Sequence, residues 1–332
     1  MAYAWQRRGD TSQVKILSKS PILQPSLGVD VRLGLARKIA FLLGNEENHT
    51  TDIPGLRLHQ RTAPTPPCRM TYYPGIIVVA QGRKQVNLGR NSFIYDSSRF
   101  LLTAVDLPTV SWVVEATKEE PCLAMSLRLD MAIVRELLGR EEVHVAETPR
   151  DDCAMCTAET SPEFLGACCR LLEILQKPED IPFLSGLVQR EIIYRILTRP
   201  EGARLRAIAT LGDQSNRLAK AVAWITTNYA KRFRIEELAH IAGMGVSTLH
   251  HHFHALTAMS PLQYQKQLRL QSARSLMLNG GLDAATAAYE VGYESATQFN
   301  REYSRFFGQP PMRDVRALLS PDGRGAELIG SL

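Results

Sequence analysis

No stretch of the chain is apolar for the ~18–20 consecutive residues that a bilayer-crossing helix needs. The longest apolar runs, at 34–43 and 75–80, are short or broken by charge. Residues 1–13 carry Arg7 and Arg8 with no apolar stretch behind them, so no secretory signal is expected. The expected compartment is therefore the reducing cytoplasm, where the six cysteines stay as thiols. Cys153 and Cys156 form a Cys-x-x-Cys, but no second pair follows to complete a zinc site. They read as loop thiols, with metal or redox use as the alternative. Cys168 and Cys169 fall in a helical pattern and read as core filler. Histidine is scarce where a metalloenzyme would need it: His59 is the only one between residues 56 and 129. There is no Ser/His/Asp nucleophile pattern and no glycine-rich phosphate loop. No catalytic residue, cofactor or metal is expected.

What is present is a globular composition. The chain has 332 residues, 45% apolar and 22% charged, enough for two domains with their own cores. The net charge of +5 is too small to announce a nucleic-acid partner. Its position says more. From Glu201 onward there are 15 Lys/Arg against 11 Asp/Glu, and five of the eight histidines lie there too.

Texture changes along the chain. Residues 1–27 read as a loose polar arm. A helix is expected over 29–43, ended by Gly44 and Asn45. Between 56 and 129, short apolar runs at 76–81, 86–88, 92–95, 100–105, 110–115 and 122–129 are separated by Gly, Asn, Asp and Pro. Such spacing predicts an antiparallel sandwich or barrel. Arg83-Lys84 and Gly89-Arg90 are placed on hairpin turns. Asp130 reads as the N-cap of a helix over 131–138 ended by Gly139. From Pro162 onward only helical spacing remains, with helices at 164–175 and 184–198. Pro200-Glu201-Gly202 marks a boundary, and the region 28–200 is expected to hold a sensing domain with a helical linker or dimerisation region. A helical domain follows at 213–316 and a tail at 317–332.

The helical domain contains a repeat with a shift of 50 residues. In each copy an apolar helix, a short Gly-containing break and a second helix follow one another. Leu249 and Phe253 in the first copy correspond to Phe299 and Tyr303 in the second, two large anchors at i, i+4. This is a helix-turn-helix pattern, present twice. The anchored face leaves the opposite face of each second helix free for the DNA major groove. That face holds Ser247, Thr248, His250 and His251 in the first unit and Ala296, Thr297, Asn300 and Arg301 in the second. Arg301 can donate twice to guanine, and Asn300 suits adenine. Ser295 would cap its helix, with Gly245 at the matching place in the first unit. His250 and His254 could share a metal at i, i+4, but no third ligand is evident. Pro261 opens a long helix that would set the two units about 34 Å apart, one DNA turn. Lys266, Arg269 and Arg274 along it are candidate phosphate contacts.

Residues 215–315 resemble the DNA-binding domain of the AraC/XylS family of transcription regulators. The resemblance rests on Ala242-Gly-Met, Ser247-x-Leu249 and Phe253, then Ser260-Pro261-Leu262-x-Tyr264 and Arg269-Leu270-x-x-Ala273-Arg274-x-Leu276. It continues through Val291-Gly-Tyr-Glu-Ser295, Phe299, Arg301 and Phe306-Phe-Gly-Gln-Pro310. Two departures stand out: the family often has Arg where His251 stands and Ser where Gly245 stands. More loosely, Tyr72-Tyr73-Pro-Gly-Ile, Gln81-Gly-Arg-Lys and Arg128-Leu-Asp resemble the cupin-like sensing domain of one subgroup. The resemblance implies an α+β chain: an N-terminal cupin-like antiparallel β-barrel with flanking helices, then an all-α domain of two helix-turn-helix units. It implies a sequence-specific regulator that binds double-stranded promoter or operator DNA and answers to a small-molecule effector in the barrel. Tyr95, Phe100 and Trp112 are the candidate pocket residues. A homodimer and RNA polymerase are the expected protein partners, and a membrane is not. A cupin-type enzyme with an appended helical domain and a constitutive DNA-binding protein remain as alternatives.

Overall fold

The computed structural model describes residues 27–140, 143 and 153–319. The arm expected at 1–27 falls outside the described residues up to 26, and the tail expected at 317–332 does so from 320. Helix α1 (Leu27–Leu43) ends at Gly44, whose φ of +55° terminates it as expected. Nine strands follow: β1 (Asn48–Thr50), β2 (Leu56–Arg61), β3 (Cys68–Tyr72), β4 (Gly75–Gln81), β5 (Arg83–Leu88), β6 (Asn91–Asp96), β7 (Arg99–Thr103), β8 (Leu107–Glu115) and β9 (Cys122–Arg128). After α2 (Met131–Leu138), capped by Asp130, comes β10 (Met155–Glu159). The chain then turns helical: α3 (Pro162–Ile174), α4 (Ile181–Leu197), α5 (Ala203–Ala209) and α6 (Gln214–Asn228). Six more helices complete it: α7 (Ile235–Ala242), α8 (Val246–Thr257), α9 (Pro261–Asn279), α10 (Ala284–Glu290), α11 (Ala296–Phe307) and α12 (Pro311–Leu319). No helix among the described residues is long and apolar enough to cross a membrane.

All strand pairs are antiparallel, but they form two sheets rather than one closed barrel. The order is β1-β2-β9-β4-β7-β10 in one and β3-β8-β5-β6 in the other. The chain changes sheet between β4 and β5. A bulge interrupts β4 between Val79 and Gln81. Gly82 then takes φ +83°, and a β-carbon there would lie 2.6 Å from the Glu115 carbonyl oxygen. Two expectations are corrected here. Lys84 sits inside β5, not on a turn, and is buried. Cys156 lies on β10, not in a loop, with Cys153 buried just before it.

The period of two in each strand assigns the layers. On the six-stranded sheet, Leu56, Leu58, Ile76, Val78, Phe100, Met125 and Leu127 share the face covered by α1 and α3. Phe100 stacks on Phe164 of α3 at 4.4 Å between ring centres. The other face meets the four-stranded sheet. One continuous core runs from these layers into α6–α8, and a second, separate core lies within α9–α12. Helix α9 belongs to both: Tyr264 and Leu268 sit in the first, Leu270, Ala273 and Met277 in the second.

The turn before α11 is held against the end of α6 by close backbone approach. Gly292 takes φ +86°, and a β-carbon there would lie 1.9 Å from the carbonyl oxygen of Ala230. Gly292→Ala should therefore lose at least the ~1–3 kcal/mol of a strained backbone site, and more from the clash. Gly281, at φ +63° with open space around it, is the control: Gly281→Ala should cost only ~1–2 kcal/mol. Equal shifts of the two thermal midpoints would show that the contact at Ala230 does not constrain the fold.

Candidate nucleic-acid interface

Each helix-turn-helix unit is built by local rules. In the first, α7 ends at Gly243 with φ +61°, whose N–H closes on the Ala239 and His240 carbonyls. The Arg217 guanidinium donates to the Gly243 carbonyl at 3.0 Å, fixing the turn from α6. Leu249 and Phe253 of α8 are fully buried, and Phe253 meets Tyr264 edge to face. In the second, Asp283 caps α10 by accepting from the N–H groups of Ala285 and Thr286. These bonds, with one from the Thr286 hydroxyl, hold its carboxyl below the usual carboxylate range. Ser295 caps α11 by accepting from the Gln298 N–H at 3.3 Å. Phe299 and Tyr303 are fully buried. Gly245 supplies no side-chain cap to α8, so α11 has the better-secured start.

Anchoring one face leaves the other outside. Ser247, Thr248, His250 and His251 are exposed on α8. Thr297, Asn300 and Arg301 are exposed on α11, with Ala296 half-buried beside them. Arg301 has no hydrogen bond or ion pair among the described residues, so its guanidinium is free for another acceptor. His250 and His254 are exposed, and no group of three metal-ligating side chains occurs among the described residues.

The connector behaves differently from expectation. Ser260 and Gln263 form a reciprocal capping box at the start of α9, with Pro261 in the first turn. Lys266 remains half-exposed, 3.8 Å from Glu302 of α11. Arg269 and Arg274, however, are engaged inside the protein, which corrects their reading as phosphate contacts. The Arg269 Nε donates to the Tyr229 carbonyl at 2.7 Å. Its other nitrogens donate to the carbonyls of Gly292 (2.9 Å), Ala230 (3.1 Å) and Lys231 (3.2 Å). Gln265 adds bonds to the Tyr229 and Lys231 carbonyls. One arginine thus ties the end of α6, in the first unit, to the turn of the second. Arg274 pairs with Asp314 of α12 at 2.9 and 3.2 Å and lies 4.3 Å above the Phe307 ring. The Tyr303 hydroxyl donates to the same carboxylate at 2.7 Å. Asp314 is a residue that sequence reading missed. Its partner Arg274 lies 40 residues away in sequence, beyond the reach of local pattern.

The candidate pocket residues are not brought together. Tyr95 is buried between the sheets, and its hydroxyl lies 3.5 Å from that of Tyr72, which donates to Ser111 Oγ at 2.7 Å. Phe100 points to the opposite side of its own sheet, onto α3. Trp112 alternates with the buried Ser111 and Val113 and is half-exposed on the outer face of β8.

The fold and these two free helix faces define a class: a regulator that reads DNA through paired helix-turn-helix units carried beneath an N-terminal β-sandwich. Residues 52–204 match the AraC-type transcriptional regulator N-terminus and residues 238–317 match a helix-turn-helix domain. Similar proteins include the virulence regulon transcriptional activator VirF of Yersinia enterocolitica, 25% identical over 71% of this chain and 87% of VirF. The HTH-type transcriptional regulator ExsA of Pseudomonas aeruginosa is 24% identical over 75% of this chain and 88% of ExsA. Among solved structures, ToxT from Vibrio cholerae O395 bound to (E)-4-(8-methylnaphthalen-1-yl)but-3-enoic acid superposes with a TM-score of 0.52. It is 12% identical and covers 82% of this chain and 99% of that one. The chain belongs to the AraC/XylS family and is a DNA-binding transcription regulator.

The two kinds of arginine separate by experiment. Arg274→Ala takes the only cation bonded to a buried carboxylate among the described residues, leaving it the Tyr303 hydroxyl, and should destabilise the fold by ~3–5 kcal/mol. Arg301→Ala should leave the melting curve unchanged while weakening binding to a preferred duplex by ~1–3 kcal/mol and relaxing the choice at one base pair. An equal loss across all sequences would instead make Arg301 a phosphate contact.

Proposed function

We propose that this regulator reads its operator with α8 and α11 and is switched by a small molecule held in the N-terminal sandwich. The observation carrying the first half is the pair of exposed faces held in register by Arg269. In this reading Arg301 pairs with guanine and Asn300 with adenine. Ser247, Thr248, His250, His251, Ala296 and Thr297 meet base edges or adjacent phosphates, and Lys266 meets the backbone. With Arg269 and Arg274 engaged internally, sequence-independent affinity falls to Lys266 and to exposed cations such as Arg232, Arg305 and Arg313.

The second half is supported by direct contact between the sandwich and the reading helices. The Arg69 Nε on β3 donates to the Phe306 carbonyl at 2.6 Å, and the guanidinium lies 4.1 Å over the Phe306 ring, at the end of α11. The Tyr264 hydroxyl of α9 donates to the Asp106 carbonyl at 2.7 Å, and Thr71 bonds to Gln271. A ligand that binds differently to two arrangements of these contacts shifts their populations. The protein works by binding rather than catalysis, in the cytoplasm with its DNA. The printed name of VirF favours activation, and in this reading RNA polymerase is the protein partner.

A second copy is supported by α4. Phe183, Leu187 and Tyr194 lie along one side of it, 74%, 49% and 43% exposed, an unusual apolar stripe for a helix on a protein surface. Leu187→Glu should convert a dimer to a monomer in sedimentation without lowering the thermal midpoint. A monomer already in the unsubstituted protein would remove the dimer from the proposal.

Selection of bound duplexes from a random pool tests the whole reading. It should return a site with two recognised elements about one turn, ~34 Å, apart. Failure to enrich any sequence would overturn it. Deleting residues 1–200 should leave DNA binding and abolish response to the effector. Unchanged regulation in cells would sink the sensing half.

A further inference from the structure

The two reading helices differ in the kind of charge they carry. Helix α11 holds Arg301 and Arg305, cations at every pH a cell reaches, beside Glu302. Helix α8 runs Val-Ser-Thr-Leu-His-His-His-Phe-His-Ala-Leu-Thr and holds no Lys, Arg, Asp or Glu. Its ionisable side chains are histidines alone. At alkaline pH its side chains therefore carry no charge, and acidification can only make them positive.

Helical spacing gathers these rings on the reading side. Leu249, Phe253 and Leu256 are buried and fix the inner face. His250, His251 and His254 are exposed, with Ser247 one turn before His251 on the same side. His252 is half-buried at the flank, its ring centre 5.0 Å from that of His251. Like charges that close oppose each other, so protonating one of this pair disfavours the other.

The surrounding elements leave the set unneutralised. Helix α6 brings Arg217, which donates to the Gly243 carbonyl, and the exposed Lys220. Helix α7 brings Glu236, Glu237 and His240, all exposed, and Glu237 accepts from the Arg234 N–H at 3.2 Å. Helix α9 brings Lys266, beside Glu302, and Arg269, which is engaged by carbonyls. The β5–β6 tip brings Arg90, next to the Gly89 that meets Ala258. Among the described residues, the one histidine ion pair is His49 with Glu46, in the sandwich. The acceptor that would favour charge on the α8 rings must come from outside.

We propose that α8 is a proton-responsive reading helix, and that acidification strengthens binding at the element it reads through His250, His251 and His254. An imidazole in water changes charge near pH ~6.5, and a duplex presents one phosphate about every 1.7 Å of its axis. Phosphates beside the rings favour the protonated form, so binding takes up protons. Rings on DNA then hold their protons to higher pH than rings in the free protein. The gain in affinity is complete below the free transition and is lost as pH rises through the bound one, a window of about pH 6–8. Helix α11 has no histidine and supplies a half whose charge is fixed. This response rests on the reading half of the proposed function and needs no small-molecule effector.

The test is the Kd of the full-length protein for its selected duplex at about pH 6 and about pH 8, at one ionic strength. Kd should fall at least ~tenfold toward the lower pH, the effect of a shift of one unit at a single ring. The dependence of affinity on salt should steepen there by ~0.9 for each phosphate met by a protonated ring. Substituting His250→Gln, His251→Gln and His254→Gln together keeps polar side chains and should flatten both responses with no change in the melting midpoint. His254→Arg, a permanent cation, should tighten binding at the higher pH and shrink the ratio. Arg301→Ala should weaken binding at both pH values and leave the ratio unchanged. A flat Kd in the unsubstituted protein would overturn the proton response. So would an undiminished ratio in the triple variant, whether or not His240→Gln then removed it. If the triple variant melts lower, the three single variants carry the same comparison, and an undiminished ratio in all of them overturns it. Failure to select any duplex would overturn the reading itself. A selected duplex bound equally at both pH values overturns the proton response alone.

Discussion

The relation between the two reading helices depends on one arginine. A helix ends with carbonyls that have no partner inside it, and the negative end of its dipole gathers there. The carbonyl of Tyr229, the C-cap of α6, is such a group, and Arg269 donates to it and to the next two carbonyls, of Ala230 and Lys231. Its remaining bond, to Gly292, reaches the turn that starts the second unit. A guanidinium can do this because its donors are fixed in one plane. A lysine would reach one or two of these acceptors; Gln265 would still serve Tyr229 and Lys231, but the joint hold on Ala230 and Gly292 would be lost. Helix α9 supplies the distance between the units, and Arg269 supplies their angle.

The sandwich then attaches to this rigid pair at the ends of the reading helices rather than at their exposed faces. Arg69 meets the last turn of α11. The tip of the β5–β6 hairpin, at Gly89, sits against Ala258 at the end of α8. Ala258 itself holds φ +58°, the one positive value outside glycine among the described residues, a conformation that costs ~1–2 kcal/mol for an L side chain. Both reading helices are therefore gripped at their C-terminal ends by the domain that would sense the ligand, while their N-terminal turns stay clear for the groove.

Much of the helical half was legible in the sequence because its rules are local. The repeat, the anchors Leu249, Phe253, Phe299 and Tyr303, and the caps Asp130 and Ser295 depend on residues three or four apart. What was not legible depends on pairings made across the fold. Lys84 follows Gly82 and Arg83 and looks like a turn residue; only the ladders to β6 and β8 turn it inward. Tyr95 and Phe100 are five residues apart in similar apolar runs, and nothing in either run says that they face different layers. Strand β10 is short and carries Cys156, and it becomes a strand by adding to the free edge of β7. The arginines of α9 read as candidate phosphate contacts, whereas their partners, at 229–231, 292 and 314, lie 23 to 40 residues away in sequence.

The same distinction bears on which charges answer to DNA. Arginines 269 and 274 lie beneath the reading surface, and both are removed from it by internal acceptors that water or phosphate would have to displace. A phosphate at the surface competes in high dielectric, where its attraction is screened. The Asp314 carboxylate and the α6 carbonyls act from partly buried positions, where an unpaired group is costly. The internal partners therefore win, and the small basic excess of the C-terminal third divides into charges that hold the units together and charges that face outward. Arg301 belongs to the second group because its helix is secured by Ser295, Phe299 and Tyr303 and asks nothing further of it.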